Sequence, residues 1–301
     1  MEAERQSATT PDVTVVIPTH NRHLLLMEAL ESVADQDWPS WECIVIDDGS
    51  EPPVSLPADL SQTKLVRRAV RGGPAAARNT GLRAATGRFI AFLDDDDLMV
   101  PSRIRIGMEA LQANPDANCH IGALIKSDSP DLEKIPIEST SSTPRRSGTS
   151  RLSVEQILIR RDLVKEFDES LRVGEDVDWW LRVEPTVAAI VTLDVVTVVR
   201  SHDEVRPGVS SEVRFQARLR TYKKHRHLLP TWGNKRSRLQ RRVAEAALKA
   251  GRPHTATRYA MAAVVSRPDM RKVKVLLMAG GTSFRKLLTR QWRQPTGSSN
   301  P

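Results

Sequence analysis

The chain has 301 residues, of which 40% are hydrophobic and 27% are charged, so it can form one large domain or a domain with an appendage. No apolar run approaches the roughly 18 residues of a membrane span, and the polar residues 1–11 lack the apolar core of a signal peptide. Cys43 and Cys119 lie in or beside apolar runs without metal-type spacing, which indicates reduced thiols and a cytoplasmic protein.

The net charge of +8 is unevenly distributed along the chain. From residue 212 onward the only acidic residues are Glu212, Glu245 and Asp269, against more than twenty Lys and Arg residues. A basic segment of this kind can meet anionic lipid headgroups, nucleic acid or another anionic polymer, or it can be a solvated helical surface.

Strands and helices alternate through the first part of the chain. The predicted elements are strands at 12–18, 42–46, 65–68 and 87–93, and helices at 24–34, 75–85 and 101–113. This alternation predicts a mostly parallel sheet with helices on its faces.

The second part begins with a strand and ends in basic helices. We expect strands at 118–126 and 187–199, a surface loop at 127–150, a strand and then a helix at 153–163, and helices at 174–183, 239–250, 254–266 and 271–288. The segment 153–161 suggests no function of its own.

The most unusual stretch is an apolar strand that ends in four consecutive aspartates, Asp94 to Asp97. Adjacent carboxylates repel one another by roughly 1 kcal/mol or more per pair, and a bound cation removes that penalty. Carboxylate oxygens are preferred by Mg²⁺ and Mn²⁺, and ligands of open α/β sheets bind beyond the carboxyl ends of the strands. The run therefore predicts either a metal site or, equally, a solvated acidic loop.

Two further acidic pairs, Asp47-Asp48 and Glu175-Asp176, follow a strand or open a helix. One cluster could accept hydrogen bonds from a base or ribose, another could hold a metal on a diphosphate, and a third could act as a general base. The sequence contains no Gly-rich phosphate loop, which leaves a divalent metal as the diphosphate partner. These three roles together are the ones needed to transfer a group from a nucleotide-activated donor.

Five motifs occur in order: residues 15–22 (VVIPTHNR), 45–50 (VIDDGS), 77–81 (ARNTG), 92–97 (FLDDDD) and 174–176 (GED). Together they resemble the family 2 glycosyltransferases of the GT-A fold. The resemblance covers roughly residues 13 to 211 and says nothing about the basic segment that follows.

The resemblance implies a nucleotide-sugar site. Asp48 would accept from the uracil imide, Asp47 would shape that pocket, His20 would take the place of an aromatic ring against the base, and Arg78 would face the nucleotide or its phosphates. The full nucleotide-sugar set that it implies is Pro18, Thr19, His20, Asn21, Asp47, Asp48, Arg78, Asp94, Asp95 and Glu175.

For the metal, the resemblance implies Mn²⁺ or Mg²⁺ bound directly by Asp96, with Asp94 near the ribose or the metal. His202 would complete the metal shell; the alternative is a surface-loop histidine. Asp97 would orient the loop.

For catalysis, the resemblance implies that Asp176 is the general base in a single displacement that inverts the anomeric centre. Trp179 and Trp180 could stack on acceptor sugars; the alternative is that such a pair contributes to the core.

The resulting expectation is an α/β, GT-A-type, Rossmann-like and mostly parallel sheet flanked by helices, with a C-terminal helical extension. The expected segments are a flexible N-terminus (1–11), the GT-A domain (12–212), a basic helical extension (213–293) and a disordered tail (294–301). Expected partners are a nucleotide-sugar donor, with a UDP-sugar as the favoured candidate, and a glycan or lipid-linked acceptor of cell-wall or polysaccharide biosynthesis. We expect a cytoplasmic protein whose basic helices rest on the anionic inner face of the membrane, rather than on nucleic acid.

Two alternatives from other classes remain at this point. A metal-dependent nucleotidyltransferase would share the acidic sheet edge but would need a Gly-rich basic first loop. A non-catalytic nucleotide- or glycan-binding module would carry a degenerate site and a tail that binds nucleic acid or membrane. The oligomeric state, the sugar and the linkage do not follow from the sequence.

Overall fold

The computed structural model describes residues 10–127, 152–200, 210–227, 233–267 and 270–278. The chain divides into two compact units, residues 1–205 and 206–301, and each is described by itself. Except for residues 10, 11 and 127, the expected N-terminal segment, the loop at 127–150 and the tail at 294–301 lie outside the described residues. The domain boundaries expected from the sequence stay predictions.

The first unit contains an eight-stranded sheet with the strand order β3-β2-β1-β4-β7-β6-β8-β5. The strands are β1 (Val13–Thr19), β2 (Trp41–Asp47), β3 (Thr63–Arg67), β4 (Phe89–Phe92), β5 (Asp97–Met99), β6 (Cys119–Ser127), β7 (Ile157–Arg160) and β8 (Ala189–Arg200). Strands β3, β2, β1 and β4 are parallel neighbours. Strand β7 runs antiparallel to β4 and β6, whereas β6 and β8 are parallel and β5 is antiparallel to β8.

Four helices accompany this sheet: α1 (His23–Ala34), α2 (Pro74–Ala84), α3 (Arg103–Gln112) and α4 (Glu175–Val183). The α/β architecture of a sheet flanked by helices is confirmed, and its parallel character is concentrated between β3 and β4. Beyond β4 the sheet is mixed, because β7 enters it in the opposite direction.

The two faces of the sheet form two separate cores, as the alternation of side chains along a strand requires. Val15 and Ile17 of β1 pack with Leu30 of α1 on one face. Val16 of the same strand packs on the other face with Ala77 of α2 and Trp179 of α4. Because both faces are covered, β1 and β2 read as continuous apolar runs rather than alternating ones.

Two local predictions differ from the structure. The segment 153–163 is a strand between two short 3₁₀ turns rather than a strand followed by a helix. Residues Asp97–Met99 form the short strand β5, which the aspartate run obscures in the sequence.

The second unit is helical over its described residues. It contains α5 (Ser211–His225), α6 (Gly233–Lys249) and α7 (Pro253–Ser266), and residues 270–278 are also helical. Ala244, Ala260 and Leu276 contribute to its small apolar core. None of the helices among the described residues combines the length and the apolar character needed to cross a bilayer.

Glu42 on β2 fixes the turn that leads into β4. Its Oε1 accepts hydrogen bonds from Thr14 Oγ1 (2.8 Å), Thr86 Oγ1 (2.6 Å) and Thr86 N (2.7 Å), and its Oε2 pairs with Lys64 Nζ (2.9 Å). At Gly87 the chain passes so close to β1 that a Cβ atom would lie 2.6 Å from the backbone nitrogen of Thr14. Close approach to a neighbouring strand therefore explains this glycine, because α2 has already ended at Ala84.

We predict that Glu42→Gln destabilises the protein in a pH-dependent way. Burial opposes ionisation of Glu42, but hydrogen bonds from Thr86, Lys64 and Thr14 outweigh it and lower the pKa of Glu42 from 4.5 to about 2. This stabilisation is therefore fully present above about pH 4.5 and is lost as the pH falls toward about 2. Because Lys64 is exposed and its charge is screened, we expect Glu42→Gln to lower the free energy of unfolding by about 1–2 kcal/mol at pH 7.

Urea unfolding of both proteins at pH 7 and pH 3 measures this difference, with the exposed Glu109→Gln as the matched control. A destabilisation by Glu42→Gln that is the same at both pH values would contradict the prediction.

Candidate active site

The carboxyl ends of three parallel strands bring the sequence motifs to one edge of the sheet. Thr19, the last residue of β1, is in register with Asp47, the last residue of β2. Strand β4 ends beside them at Phe92 and leads into the aspartate run. The location expected from the sequence for Asp47-Asp48 and Asp94–Asp97 is thus what the strand order produces.

The loop after β1 is bonded to the aspartate run. Thr19 Oγ1 donates to Asp95 Oδ2 at 2.7 Å. Arg22 Nη1 donates to Asp95 Oδ1 at 3.1 Å and to Asp96 Oδ2 at 2.7 Å. Burial raises the pKa of Asp95 to about 6, with Thr19 and Arg22 acting against the shift and the neighbouring carboxylates Asp96 and Asp94 adding to it.

His20 and Asn21 lie in the loop that faces the end of β2. The Nδ1 atom of His20 is 3.1 Å from the carbonyl oxygen of Asp48. Asn21 has a positive φ of 56°, its backbone nitrogen donates to Ser50 Oγ at 3.0 Å, and its side chain accepts from Glu51 N at 2.8 Å. Pro18, on β1, is half-buried beside this loop.

Asp47 is a structural anchor of the same edge. It is fully buried and accepts from Ser50 N (2.8 Å), Val54 N (3.2 Å) and Arg67 Nη1 (2.6 Å). Burial opposes its ionisation, but the bonds from Ser50 and Val54 and the charge of Arg67 lower the pKa of Asp47.

Asp48 holds the segment that leads into α2. Its Oδ1 accepts from Arg68 Nε at 2.8 Å and Gly72 N at 2.9 Å, and its Oδ2 accepts from Gly73 N at 2.7 Å. Gly72 N also contacts Oδ2 at 3.2 Å, so the roughly four acceptor positions of this carboxylate are nearly all used within the protein.

Arg78 on α2 joins the aspartate run to α4. Its Nη2 donates to Asp94 Oδ1 at 2.6 Å, and its Nη1 donates to Glu175 Oε1 at 3.0 Å. The guanidinium lies 5.5 Å from the Phe167 ring centroid, and the residue is 3% exposed. Burial acts to lower the pKa of Arg78, but Asp94, Glu175 and Glu155 outweigh it and raise that pKa.

Asp94 also belongs to an acidic triad with Asp97 and Glu155, whose carboxylate oxygens lie within 4.8 Å of one another. Burial and the charge of Asp94 raise the pKa of Glu155 well above its ordinary value, against the effect of Arg78. Glu155 was missed in the sequence because it stands alone, just before β7. Since β7 is antiparallel to β4, the start of β7 lies at the edge where β4 ends.

The triad fits a hard divalent cation such as Mg²⁺ or Mn²⁺, which takes oxygen ligands. The three carboxylates repel one another, and the raised pKa of Glu155 reflects burial as well as this repulsion. A bound cation would offset the repulsion. Only Asp94 of the triad is among the ligands expected from the sequence. Of the other expected ligands, Asp96 accepts a hydrogen bond from Arg22, and His202 lies outside the described residues.

Asp176 lies in the first turn of α4, directly after Glu175 and half-buried. The preceding Gly174 has a φ of 79°, a left-handed conformation that suits glycine. Burial raises the pKa of Glu175, with Arg78 opposing the shift and Asp176 adding to it. The Arg78–Glu175 ion pair thus brings the α4 turn with Asp176 to the edge that carries Asp94.

For Trp179 and Trp180, the structure supports the core alternative rather than stacking on acceptor sugars. Trp179 is 0% exposed, stacks on Phe167 at 5.1 Å, and donates through Nε1 to the Lys165 carbonyl at 2.6 Å. Trp180 is 8% exposed and packs in the same core. Neither indole presents a face to a ligand, because the apolar side of α4 must be buried against the sheet.

We predict that Arg78→Met destabilises the protein by about 3–5 kcal/mol, because it leaves two largely buried carboxylates without their cation. The matched control is Arg83→Met on the same helix, whose ion pair with Glu166 is 55% and 61% exposed. Arg83→Met should lower the free energy of unfolding by less than about 1 kcal/mol. Equal losses for both variants in urea unfolding would refute the central role of Arg78.

Several known proteins are similar to the chain. It is 33% identical over 105 residues to the UDP-Glc:α-D-GlcNAc-diphosphoundecaprenol β-1,3-glucosyltransferase of Escherichia coli, which covers 34% of the chain and 42% of the relative. Three uncharacterised glycosyltransferases of Rickettsia species match at 30–32% identity, and the chain spans only 26–31% of their length.

Two solved structures share the fold at low identity. Residues 1–349 of S. aureus TarS in complex with UDP-GlcNAc have a TM-score of 0.59 and 17% identity, covering 86% of the chain and 82% of that TarS fragment. The mannosyltransferase PcManGT of Pyrobaculum calidifontis, in complex with GDP-Man and Mn²⁺, has a TM-score of 0.54 and 19% identity, covering 95% and 82%. Residues 14–165, about half of the chain, match the model described as Glycosyl transferase family 2, and the chain therefore belongs to this family.

Proposed function

We propose that the chain is a metal-dependent, inverting glycosyltransferase that transfers a sugar from a UDP-sugar to a hydroxyl group of a lipid-linked or other glycan. The observation that carries this proposal is the position of Arg78, which pairs with Asp94 at 2.6 Å and with Glu175 at 3.0 Å. It joins the acidic end of β4 to the helix turn that contains Asp176, so that a donor and a base can meet. Family membership favours this activity over a nucleotidyltransferase or a non-catalytic module.

The nucleotide would bind along the ends of β1 and β2. Pro18, Thr19, His20 and Asn21 form one wall of this site in the proposal, and Asp48 forms the other. Asp48 would accept from the imide N–H of uracil, as the family resemblance implies, with that bond replacing the long 3.2 Å contact from Gly72 N. The UDP-GlcNAc complex of TarS, a protein of the same fold, supports the choice of a UDP-sugar.

Asp94 would hold the divalent metal, Mg²⁺ or Mn²⁺, together with one of two sets of neighbours. The first is Asp96, as the family resemblance implies; the second is Asp97 with Glu155, as their proximity implies. The metal would supply positive charge to the diphosphate leaving group. The complex of PcManGT with Mn²⁺ supports a metal of this kind.

Asp176 would act as the general base. Its carboxylate takes the proton of the acceptor hydroxyl while that oxygen forms a bond to the anomeric carbon. The bond from this carbon to the nucleotide diphosphate breaks on the opposite side. An α-linked donor would therefore give a β-linked product.

The acceptor proposal rests on a relative whose printed name specifies a lipid-linked substrate, the diphosphoundecaprenol glucosyltransferase of E. coli. An acceptor of this kind would place the enzyme at a membrane surface. We propose that the basic helices from residue 213 onward favour such a surface at the cytoplasmic face, and that His202 adds to the metal shell.

We predict that Asp176→Asn lowers the transfer rate by about 10²–10⁴-fold, because the amide cannot take the acceptor proton. UDP affinity should stay within about twofold of the wild type, since Asp176 does not contact the nucleotide in the proposal. Product assays with UDP-sugars and UDP calorimetry measure the two effects. Asp178→Asn, on the same helix, is a structural control; unchanged transfer in Asp176→Asn would remove it as the base.

We predict that Asp94→Asn weakens UDP binding by at least about tenfold in the presence of Mn²⁺ but not in EDTA, because only the metal-assisted part is lost. Calorimetry with UDP under both conditions measures this. Equal UDP affinity of the wild type with and without metal would contradict metal dependence.

The same titration assigns the other ligands. If Asp96→Asn lowers the metal-dependent UDP affinity and Glu155→Gln does not, Asp96 is the second ligand beside Asp94. The reverse result assigns Asp97 and Glu155 instead. Glu109→Gln, an exposed carboxylate on α3, is the control for a general change in charge.

A further inference from the structure

The second unit contains a cavity of about 550 Å³ between α5, α6 and α7. Four basic side chains line it: Lys223, Arg226, Arg236 and Arg258. They come from all three helices, so the folding of this unit brings them together. A volume of this size lies in the range of small-molecule sites, about 300–1,000 Å³.

Among the described residues, none of these four cations has a carboxylate partner. The two carboxylates that the structure describes in this unit are used elsewhere: Glu212 pairs with Arg252 at 2.9 Å, and Glu245 pairs with Arg241. Asp269 lies outside the described residues. The cavity therefore collects positive charge that the described part of the unit does not neutralise, an arrangement that attracts an anion.

The cavity also contains hydrogen-bond donors that a ligand could use. Tyr222 Oη accepts from Gln240 Nε2 at 3.1 Å, which leaves the hydroxyl hydrogen of Tyr222 to donate. Burial raises the pKa of Tyr259, against the opposing charges of Arg258 and Arg226, so this phenol stays protonated and can also donate. The Nε of Arg236 is buried and has no hydrogen-bond partner within the described residues.

We propose that this cavity binds a diphosphate group. Guanidinium groups match phosphate oxygens in bidentate geometry, and the charge of four cations exceeds what one phosphate or carboxylate would balance. The two tyrosine rings contact each other edge to face at 5.4 Å and 86°, so they are not arranged as parallel faces on which successive bases of a nucleic acid could stack. The proposal concerns the helical unit and is independent of the donor site on the sheet.

The test is titration of the full chain with inorganic pyrophosphate in EDTA. The double variant Arg226→Gln/Arg258→Gln removes two exposed charges of the cavity. Its matched control, Lys249→Gln/Lys274→Gln, removes two exposed charges of the same unit outside the cavity. Circular dichroism verifies that both variants are folded.

We expect the cavity variant to weaken pyrophosphate binding by at least about tenfold and the control to stay within about twofold. Absence of binding to the wild type, or equal weakening in both variants, would overturn the proposal. Because the donor-site aspartates are unchanged, metal-dependent UDP binding in these variants reports separately on the proposed function.

Vesicles distinguish a lipid headgroup from a soluble source of the diphosphate. Phosphatidylcholine vesicles doped with a prenyl diphosphate are compared with vesicles doped with phosphatidylglycerol. Stronger retention on the first than on the second, competed by pyrophosphate and lost in Arg226→Gln/Arg258→Gln, assigns a lipid source; pyrophosphate binding without this excess retention assigns a soluble one. Excess retention on the prenyl diphosphate vesicles that pyrophosphate does not compete and that the cavity variant does not reduce would contradict the cavity as the binding site.

Discussion

The arrangement of the candidate active site depends on one buried charge, the guanidinium of Arg78. Burying an unpaired arginine is costly, and here Asp94 and Glu175 compensate the charge through different guanidinium nitrogens. These carboxylates are far apart in sequence, one after β4 and one at the start of α4. Their shared cation therefore sets the distance between two motifs that the backbone alone does not connect.

The aromatic core below Arg78 supports the same geometry. Phe167 lies under the guanidinium and stacks on Trp179, while Phe92, the last residue of β4, contacts both rings edge-on. The strand that leads to the aspartates and the helix that carries Asp176 thus share one packed cluster. A rigid polar site requires such support, because loops alone leave side chains free to move.

Much of this was accessible from the sequence. Apolar β-branched runs that end in carboxylates located β1, β2 and β4, and the parallel order followed from alternation with helices. The antiparallel entry of β7 was not accessible, because nothing in Ile157–Arg160 indicates strand direction. The position of Glu155 beside the aspartate run depends on that direction, so the sequence does not indicate it. The role of the two tryptophans stays open in the sequence, because an aromatic pair on a helix gives the same pattern whether it faces a sugar or the core.

The position of β7 also has a consequence for synthesis on the ribosome. Strands β3, β2, β1 and β4 are complete by residue 92, but β4 gains its outer neighbour only with β7, at residue 157. At about 5–20 residues per second, the nascent chain presents the hydrogen-bonding edge of β4 unpaired for roughly 3–13 seconds. During that interval the growing sheet is open to pairing with other chains, and early chaperone contact would be most valuable there.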